Sequence, residues 1–281
     1  MCPSPEILSF NHMENYDLYF ETNRSLWNQK TPVHVASEFY DMPAFLSGKT
    51  SLNQIELSEL GDVSGKSMLH LQCHFGQDSL SWARMGAHVT GIDISDEAIA
   101  QAQKLNEQLG LDACFVRSNL YDLKENLQGQ FDIVFTSYGT IGWLPDLDKW
   151  ADIIDHFLKP GGTFYIAEFH PVLWMFDDSF SKIEYAYHNT YEPIVTEMTG
   201  TYADREAPIT HTEYGWNHGL GEVVTALTSR GIYPEFLHEF PYSPYNCFAN
   251  LAQGPDGNWR IKGMEEKLPM VYSIKATKQV R

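Results

Sequence analysis

Between Lys66 and Ala167 short apolar runs alternate with longer segments of helical character. The run "SMLHL" (67–71) reads as a strand, and "GQDSLSWARMG" (76–86) as a helix closed by Gly86. A second strand, "HVTGID" (88–93), leads into the helix "SDEAIAQAQKLNEQLG" (95–110), with Ser95 as N-cap and Gly110 as its stop. "ACFVRS" (113–118) and "FDIVFTS" (131–137) are the third and fourth strands. "DLDKWADIIDHFLKPGG" (146–162) is a helix ended by Pro-Gly-Gly, and "TFYIAEF" (163–169) is the fifth strand. Such alternation predicts an α/β fold: a doubly wound, mainly parallel sheet with helices on both faces and ligands at the C-terminal ends of the strands.

The pattern changes on either side of this block. Residues 1–65, with "NYDLYFETNRSLWNQ" and "VASEFYDMPAFL", read as helical segments laid over the core as an N-terminal cover. Residues 66–281 form the main domain, with an insertion at about 171–214 where the chain turns aromatic and β-rich ("EYAYHNTYEPIVTEMTGTYAD"). "NHGLGEVVTALTSRG" returns to helix, and "YPEFLHEF" and "MVYSIKATK" read as the last two strands.

Composition narrows the partners. The chain has 281 residues, 43% of them hydrophobic, enough to bury one full-sized core. Its net charge of −18 repels a polyphosphate backbone, so no nucleic acid is expected. Cys2, Cys73, Cys114 and Cys247 lie far apart with no CxxC, which suits free thiols in a reducing compartment, hence a cytoplasmic location. No apolar run approaches bilayer-spanning length, and no membrane partner is expected.

The chemistry gathers around "MLHLQCHFGQDSL" (68–80), a strand that enters a turn and leaves as a helix. Nucleotide-binding turns in that setting usually carry two or three glycines, whereas this one keeps Gly76 and fills the rest with Gln72, Cys73, His74 and Phe75. Asp93 ends the second strand 17 residues beyond Gly76, close to where Rossmann-like folds put the carboxylate that holds a ribose's hydroxyls. The plainer role for Asp93 is to offset the dipole of the following helix. Asn119, in "RSNLYDL", can read an adenine edge or simply shape a turn. His70, Cys73 and His74 can each ligate a metal, but a strand followed by a turn does not force them together and no second cysteine pair accompanies them; no metal is expected, and His70 is the more ordinary packed histidine.

The order "LHLQCHFG", "VTGIDIS", "FVRSNLYDL", "FDIVFTSYG" and "LKPGGTFYIAEFHP" resembles that of the class I S-adenosylmethionine-dependent methyltransferases over about Ser67 to Pro171, and more narrowly a bacterial subgroup with the "LHLQCHFGQD" turn. The resemblance implies a Rossmann-like seven-stranded sheet whose final strand inserts antiparallel. It also implies a cofactor pocket along Gly76, Asp93 with Ile94, Asn119 with Leu120, and the segment after Phe135 that includes Ser137. The chain departs from the family pattern in carrying His70 where an acid is frequent, and Gln72 and His74 where glycines stand.

With S-adenosylmethionine as cofactor, the single glycine has a reason. A pyrophosphate needs close backbone approach, whereas this ligand has no phosphate and passes a thin aminoacyl chain over the turn. Gln72, His74 and Gln77 are then expected to contact its methionine end, with His70 beside them. Methyl transfer is an in-line displacement that needs alignment and a dry site, and a base only where the acceptor must lose a proton. Tyr138, Glu168 and His170 are the candidates for that role, although His170 could instead pin the loop before Pro171. Trp27, Tyr40, Trp143 and Trp174 could wall the pocket or simply fill the core. The expected function is methyl transfer to a small, partly aromatic or apolar acceptor, with residues 1–65 and the insertion closing over the crevice. The alternatives are a non-catalytic S-adenosylmethionine-binding protein and an NAD-type oxidoreductase, the latter opposed by the missing GxGxxG.

Overall fold

The alternating block folds into five parallel strands: β1 (Ser67–Leu71), β2 (His88–Asp93), β3 (Cys114–Arg117), β4 (Phe131–Thr136) and β5 (Leu158–Phe169). They lie in the order β3-β2-β1-β4-β5 in a computed structural model that describes residues 16–280. Residues 1–15, with Cys2 and the start of the expected N-terminal cover, lie outside the described residues. Two more strands complete the sheet. β11 (Val271–Lys278) inserts antiparallel between β5 and the edge strand β8 (Ile232–Phe240), so the seven-stranded sheet is mixed, with its first five strands parallel. Two hairpins stand apart from it, β6 (Ile194–Thr199) with β7 (Thr210–Gly215), and β9 (Leu251–Gln253) with β10 (Trp259–Ile261).

Eight α-helices accompany the strands among the described residues: α1 (Tyr16–Ala36), α2 (Met42–Leu46), α3 (Gln54–Leu60), α4 (Gln77–Arg84), α5 (Asp96–Leu109), α6 (Leu123–Asn126), α7 (Leu147–Phe157) and α8 (Leu220–Ser229). Local chemistry sets their ends. The Ser95 hydroxyl accepts the Ala98 N–H at the start of α5, and Gly110 takes a left-handed conformation at its end. On α7 the buried residues Trp150, Ala151, Ile154 and Phe157 make one stripe against Val134, Phe164 and Ile166 of the sheet. Each fully buried large apolar side chain there contributes about 1.5–3 kcal/mol. On the opposite face Trp82 of α4 packs on Met68, Ile133 and Phe135, with Leu52 and Leu60 from the N-terminal segment beside it. Helices therefore cover both faces, and the C-terminal ends of β1 to β5 open on one rim.

The helix expected over 146–162 stops at Phe157, and "LKPGG" belongs to β5 instead. Pairing between β4 and β5 slips from Phe131↔Leu158 to Ile133↔Thr163. The extra residues loop out in a bulge where a side chain at Gly162 would come within 2.8 Å of the Lys159 carbonyl oxygen.

Candidate active site

The turn after β1 has left-handed backbone at three positions, Gln72 (φ 53°), His74 (φ 50°) and Gly76 (φ 83°). Glycine is required at 76 by packing: a Cβ there would lie within 2.9 Å of Phe115 and Ala102. At 72 and 74 the chain keeps full side chains at a cost of about 1–2 kcal/mol each, and their contacts offset it. Gln72 donates through Nε2 to the Thr140 carbonyl at 2.9 Å, which ties the turn to the loop after β4. His74 faces His34 of α1, Nε2 to Nδ1 at 2.9 Å, and packs edge-on against Trp27, Tyr40 and Phe75. Gln72 Oε1 and His74 Nδ1 are buried with no partner among the described residues.

Asp93 ends β2 beside this turn. One carboxylate oxygen accepts the His74 N–H at 2.8 Å and the other the Ser95 N–H at 2.9 Å. Burial pushes its carboxyl up to about 6 against the pull of these bonds. Asn119 lies one strand further out, where its Oδ1 accepts the Tyr121 N–H and shapes the turn after β3. His70 is buried in β1 between two hydroxyls, Ser79 at 2.7 Å from Nδ1 and Ser137 at 3.3 Å from Nε2; burial lowers it to about 3, so it is neutral. Gln77 turns toward the N-terminal segment and donates to the Tyr40 carbonyl at 2.9 Å. His70, Cys73 and His74 do not converge, and no group of three metal-ligating side chains occurs among the described residues.

These residues face one cavity of about 1300 Å³. All ten sequence-expected cofactor residues, His70, Gln72, His74, Gly76, Gln77, Asp93, Ile94, Asn119, Leu120 and Ser137, line it. Three segments outside the α/β core cover it. From the N-terminal segment come Trp27, Lys30, Phe39 and Tyr40; from the insertion come Tyr202, His211 and Glu213, with Trp216 just after it. Tyr245, Cys247 and Phe248, from the connection between β8 and β11, form a third cover that the sequence pattern did not suggest. The covers interlock: Lys30 pairs with Glu213 at 3.1 Å, and the hydroxyls of Tyr40 and Tyr202 are hydrogen-bonded.

The three candidate bases separate. Tyr138 lines the cavity, and its hydroxyl donates at 3.0 Å to Glu56, a fully buried carboxyl on α3 that burial raises to about 7. Glu168 also reaches the lining, but its oxygens accept the N–H groups of Gly139, Thr140, Ile141 and Phe169 and the Thr140 hydroxyl. This bonding holds the loop after β4 and leaves Glu168 as a clamp. His170 is absent from the lining: its Nε2 meets Glu239 of β8 at 2.8 Å and its Nδ1 accepts the Val172 N–H, so it pins the loop before Pro171. The strand-end position puts His170 at the crevice in sequence terms; it stands one residue past β5, and its hydrogen bonds to Glu239 of β8 and to the Val172 N–H hold its ring away. Trp27, Tyr40, Trp143 and Trp174 all reach the lining.

Asp78 was not singled out from the sequence. It sits in the first turn of α4, lines the cavity, and accepts hydrogen bonds from the hydroxyls of Ser51 at 2.6 Å and Ser137 at 3.3 Å. Burial raises its carboxyl above the ordinary 3.8, with both hydroxyls pulling it back. Only its place one residue after Gln77 could have drawn attention to it.

Residues 68–162 match the family model described as "Methyltransferase domain". The matched segment runs from β1 into the start of β5. Among curated relatives, the chain is 32% identical to an uncharacterized methyltransferase of Synechocystis sp. over 47% of its own length and 60% of that protein's. It is 24% identical to a ubiquinone biosynthesis O-methyltransferase of Xylella fastidiosa over 78% and 83% of the two chains. Among solved structures, an S-adenosylmethionine-dependent methyltransferase from Mesorhizobium loti superposes with a TM-score of 0.55 at 19% identity, covering 83% of this chain and all of that one. The fold is the Rossmann-like methyltransferase fold.

Proposed function

We propose that this protein transfers the methyl group of S-adenosylmethionine to a small, largely apolar or aromatic acceptor. The observation that carries the reading is the turn of residues 72–76. Where a dinucleotide's pyrophosphate would need bare backbone, side chains at Gln72 and His74 fill two left-handed positions, and the carboxylates of Asp93 and Asp78 face the same space. A phosphate-free nucleoside suits that surface. Asn119, Asp93, Gln72 and Ser137 stand at the ends of β3, β2, β1 and β4, neighbours in that order across the sheet. They fit a ligand laid along the rim with its adenine at Asn119, its ribose hydroxyls at Asp93 and its methionine end toward Ser137, and the unpartnered Gln72 Oε1 offers an acceptor on that path. When bound, S-adenosylmethionine supplies an electrophilic methyl carbon on a sulfonium.

The chain's own residues then exclude water and align the acceptor. Trp27, Tyr40, Trp143 and Tyr202 close the cavity above the turn, and Tyr138, Phe169 and Phe248 give it an apolar side. Tyr138, backed by Glu56, is the group able to take part in moving a proton at the acceptor, and Glu168 positions the loop that carries it. The likeness to ubiquinone biosynthesis O-methyltransferases favours an oxygen nucleophile. Isothermal calorimetry with S-adenosylhomocysteine, NAD and NADP tests the cofactor: binding of the first without comparable binding of the others is expected, and the reverse preference overturns the assignment. A metabolite screen for release of S-adenosylhomocysteine tests the reaction.

A further inference from the structure

Of the carboxylates facing the cavity, Asp93 accepts two backbone N–H groups and Glu168 accepts four together with a hydroxyl. Asp78 differs: its hydrogen-bond donors are two serine hydroxyls, and no basic side chain among the described residues pairs with it. Ser51 and Ser137 each hold one of its oxygens and fix the carboxylate's orientation on the wall. An enclosed carboxylate satisfied by hydroxyls alone keeps most of its desolvation cost, and a cation placed against it recovers that cost.

Its position says which cation. Ser137 bridges Asp78 and His70, so the carboxylate lies where β1 and β4 end, two strands from Asn119 and one from Asp93. A ligand laid from Asn119 through Asp93 and over the turn ends there, and the end of S-adenosylmethionine that carries a fixed positive group besides the sulfonium is its amino acid. His70 supplies no charge at this place, because it is buried, neutral and shared between two hydroxyls.

We propose that Asp78 holds the α-ammonium group of the cofactor's methionine end, so that the acid absent from position 70 is provided from the first turn of α4. The proposal rests on the S-adenosylmethionine reading above. Ser51 then makes the ammonium site depend on the N-terminal segment, since it orients Asp78 from there. Asp78 is a binding residue and takes no part in proton movement at the acceptor.

Calorimetry on the full chain tests this with two probes, S-adenosylhomocysteine and 5′-methylthioadenosine, the second lacking the amino acid. Asp78→Asn keeps the shape and the serine contacts. It is expected to weaken S-adenosylhomocysteine binding at least tenfold while leaving 5′-methylthioadenosine within about twofold of wild type. Equal affinity for S-adenosylhomocysteine in the variant and wild type, or a parallel loss of both probes, overturns the proposal. Should the variant not fold, wild-type protein titrated with S-adenosylhomocysteine and its desamino analogue decides: a tenfold or greater preference for the amine supports Asp78, and equal affinities overturn it. Wild type that binds neither nucleoside refutes the cofactor reading itself, a result distinct from all of these.

Discussion

Asp93 shows how one residue can carry both roles that its position in the sequence allowed. Its Oδ1 braces the start of α5 through the Ser95 N–H, and the carboxylate still faces the cavity. If the ribose hydroxyls donate to it, each charge-assisted bond is worth about 1.5–3 kcal/mol, so Asp93→Ala should weaken S-adenosylhomocysteine at least about tenfold. The direction with pH follows from the same carboxyl. It is raised to about 6 in the free protein, and hydroxyl donors favour its ionised form. Affinity should therefore hold above pH 6 and decline as pH falls below it, and Asp93→Asn should show a shallower decline when titrated over pH 5–8. An unchanged affinity in a folded alanine variant would leave Asp93 with the helix start alone. Asp93 was legible because a strand end and a spacing locate it. Asp78 was not, because its meaning depends on Ser51 and Ser137, residues 27 and 59 positions away.

At the scale of elements, α1 is the cover whose attachments are most specific. Asn23 trades two hydrogen bonds with the backbone of Tyr214 on β7, donating at 2.8 Å and accepting at 3.0 Å, and Asn28 accepts the Ser95 hydroxyl at 2.7 Å beside Asp93. The helix thus joins the hairpin of the insertion to the rim of the sheet. Asn23→Ala should lower the local opening free energy of α1 by about 1–3 kcal/mol, since both backbone groups of Tyr214 lose a partner. The expected result is faster amide exchange in α1 and β7 with the exchange of β4 and β5 unchanged, and slower α1 exchange again when S-adenosylhomocysteine is present. Exchange in α1 at the wild-type rate would separate the cover from these contacts. The helical character of 16–60 was readable from the sequence. The part played by α2 was not: Met42 and Phe45 pack with Phe75, Leu80 and Ile99, so it belongs to the core as much as to the cover. The third cover follows from topology. β8 runs parallel to β5 because both pair antiparallel with β11, so the connection after Phe240 must leave from the rim that holds the site.

Across the whole molecule, buried titratable groups set two opposing dependences on pH. Asp93 and Glu56 have folded values near 6 and 7, above the ordinary carboxyl range; the stability that goes with their protonated forms is lost as pH rises through those values. His34, His70 and His74 are lowered by burial to about 2, 3 and 3, so their contribution is complete above 6.5 and is lost as pH falls. Between about pH 4.5 and 6 the two sets oppose each other. Below about 4.5 Asp93 and Glu56 are protonated in both states while the three histidines continue to act, with up to about 4 kcal/mol lost per pH unit for three protons, and Asp132, held down to about 2 by Lys159, adds to the loss. His34 and His74 sharpen this, since a second proton would set two N–H donors face to face. Urea midpoints should therefore vary little from pH 8 to 5.5 and fall steeply below 4.5; a midpoint that stays level to pH 3.5 would contradict these burial assignments.

What the sequence determined by itself is the part governed by local periodicity and short spacing. β1 to β5 with the helices α4, α5 and α7, the turn with one glycine, and the acid ending β2 all depend on contacts or conformations within a few residues. The tertiary structure decided what each side chain faces. Gly76 is glycine because Phe115 and Ala102 crowd it, Glu168 is a clamp because the loop after β4 folds onto it, and His170 is turned to Glu239 on a strand that enters the sheet some 70 residues later. No local pattern encodes those pairings, because the hydrogen bonds and packing that assign a polar residue to structure or to a ligand form only when distant segments meet.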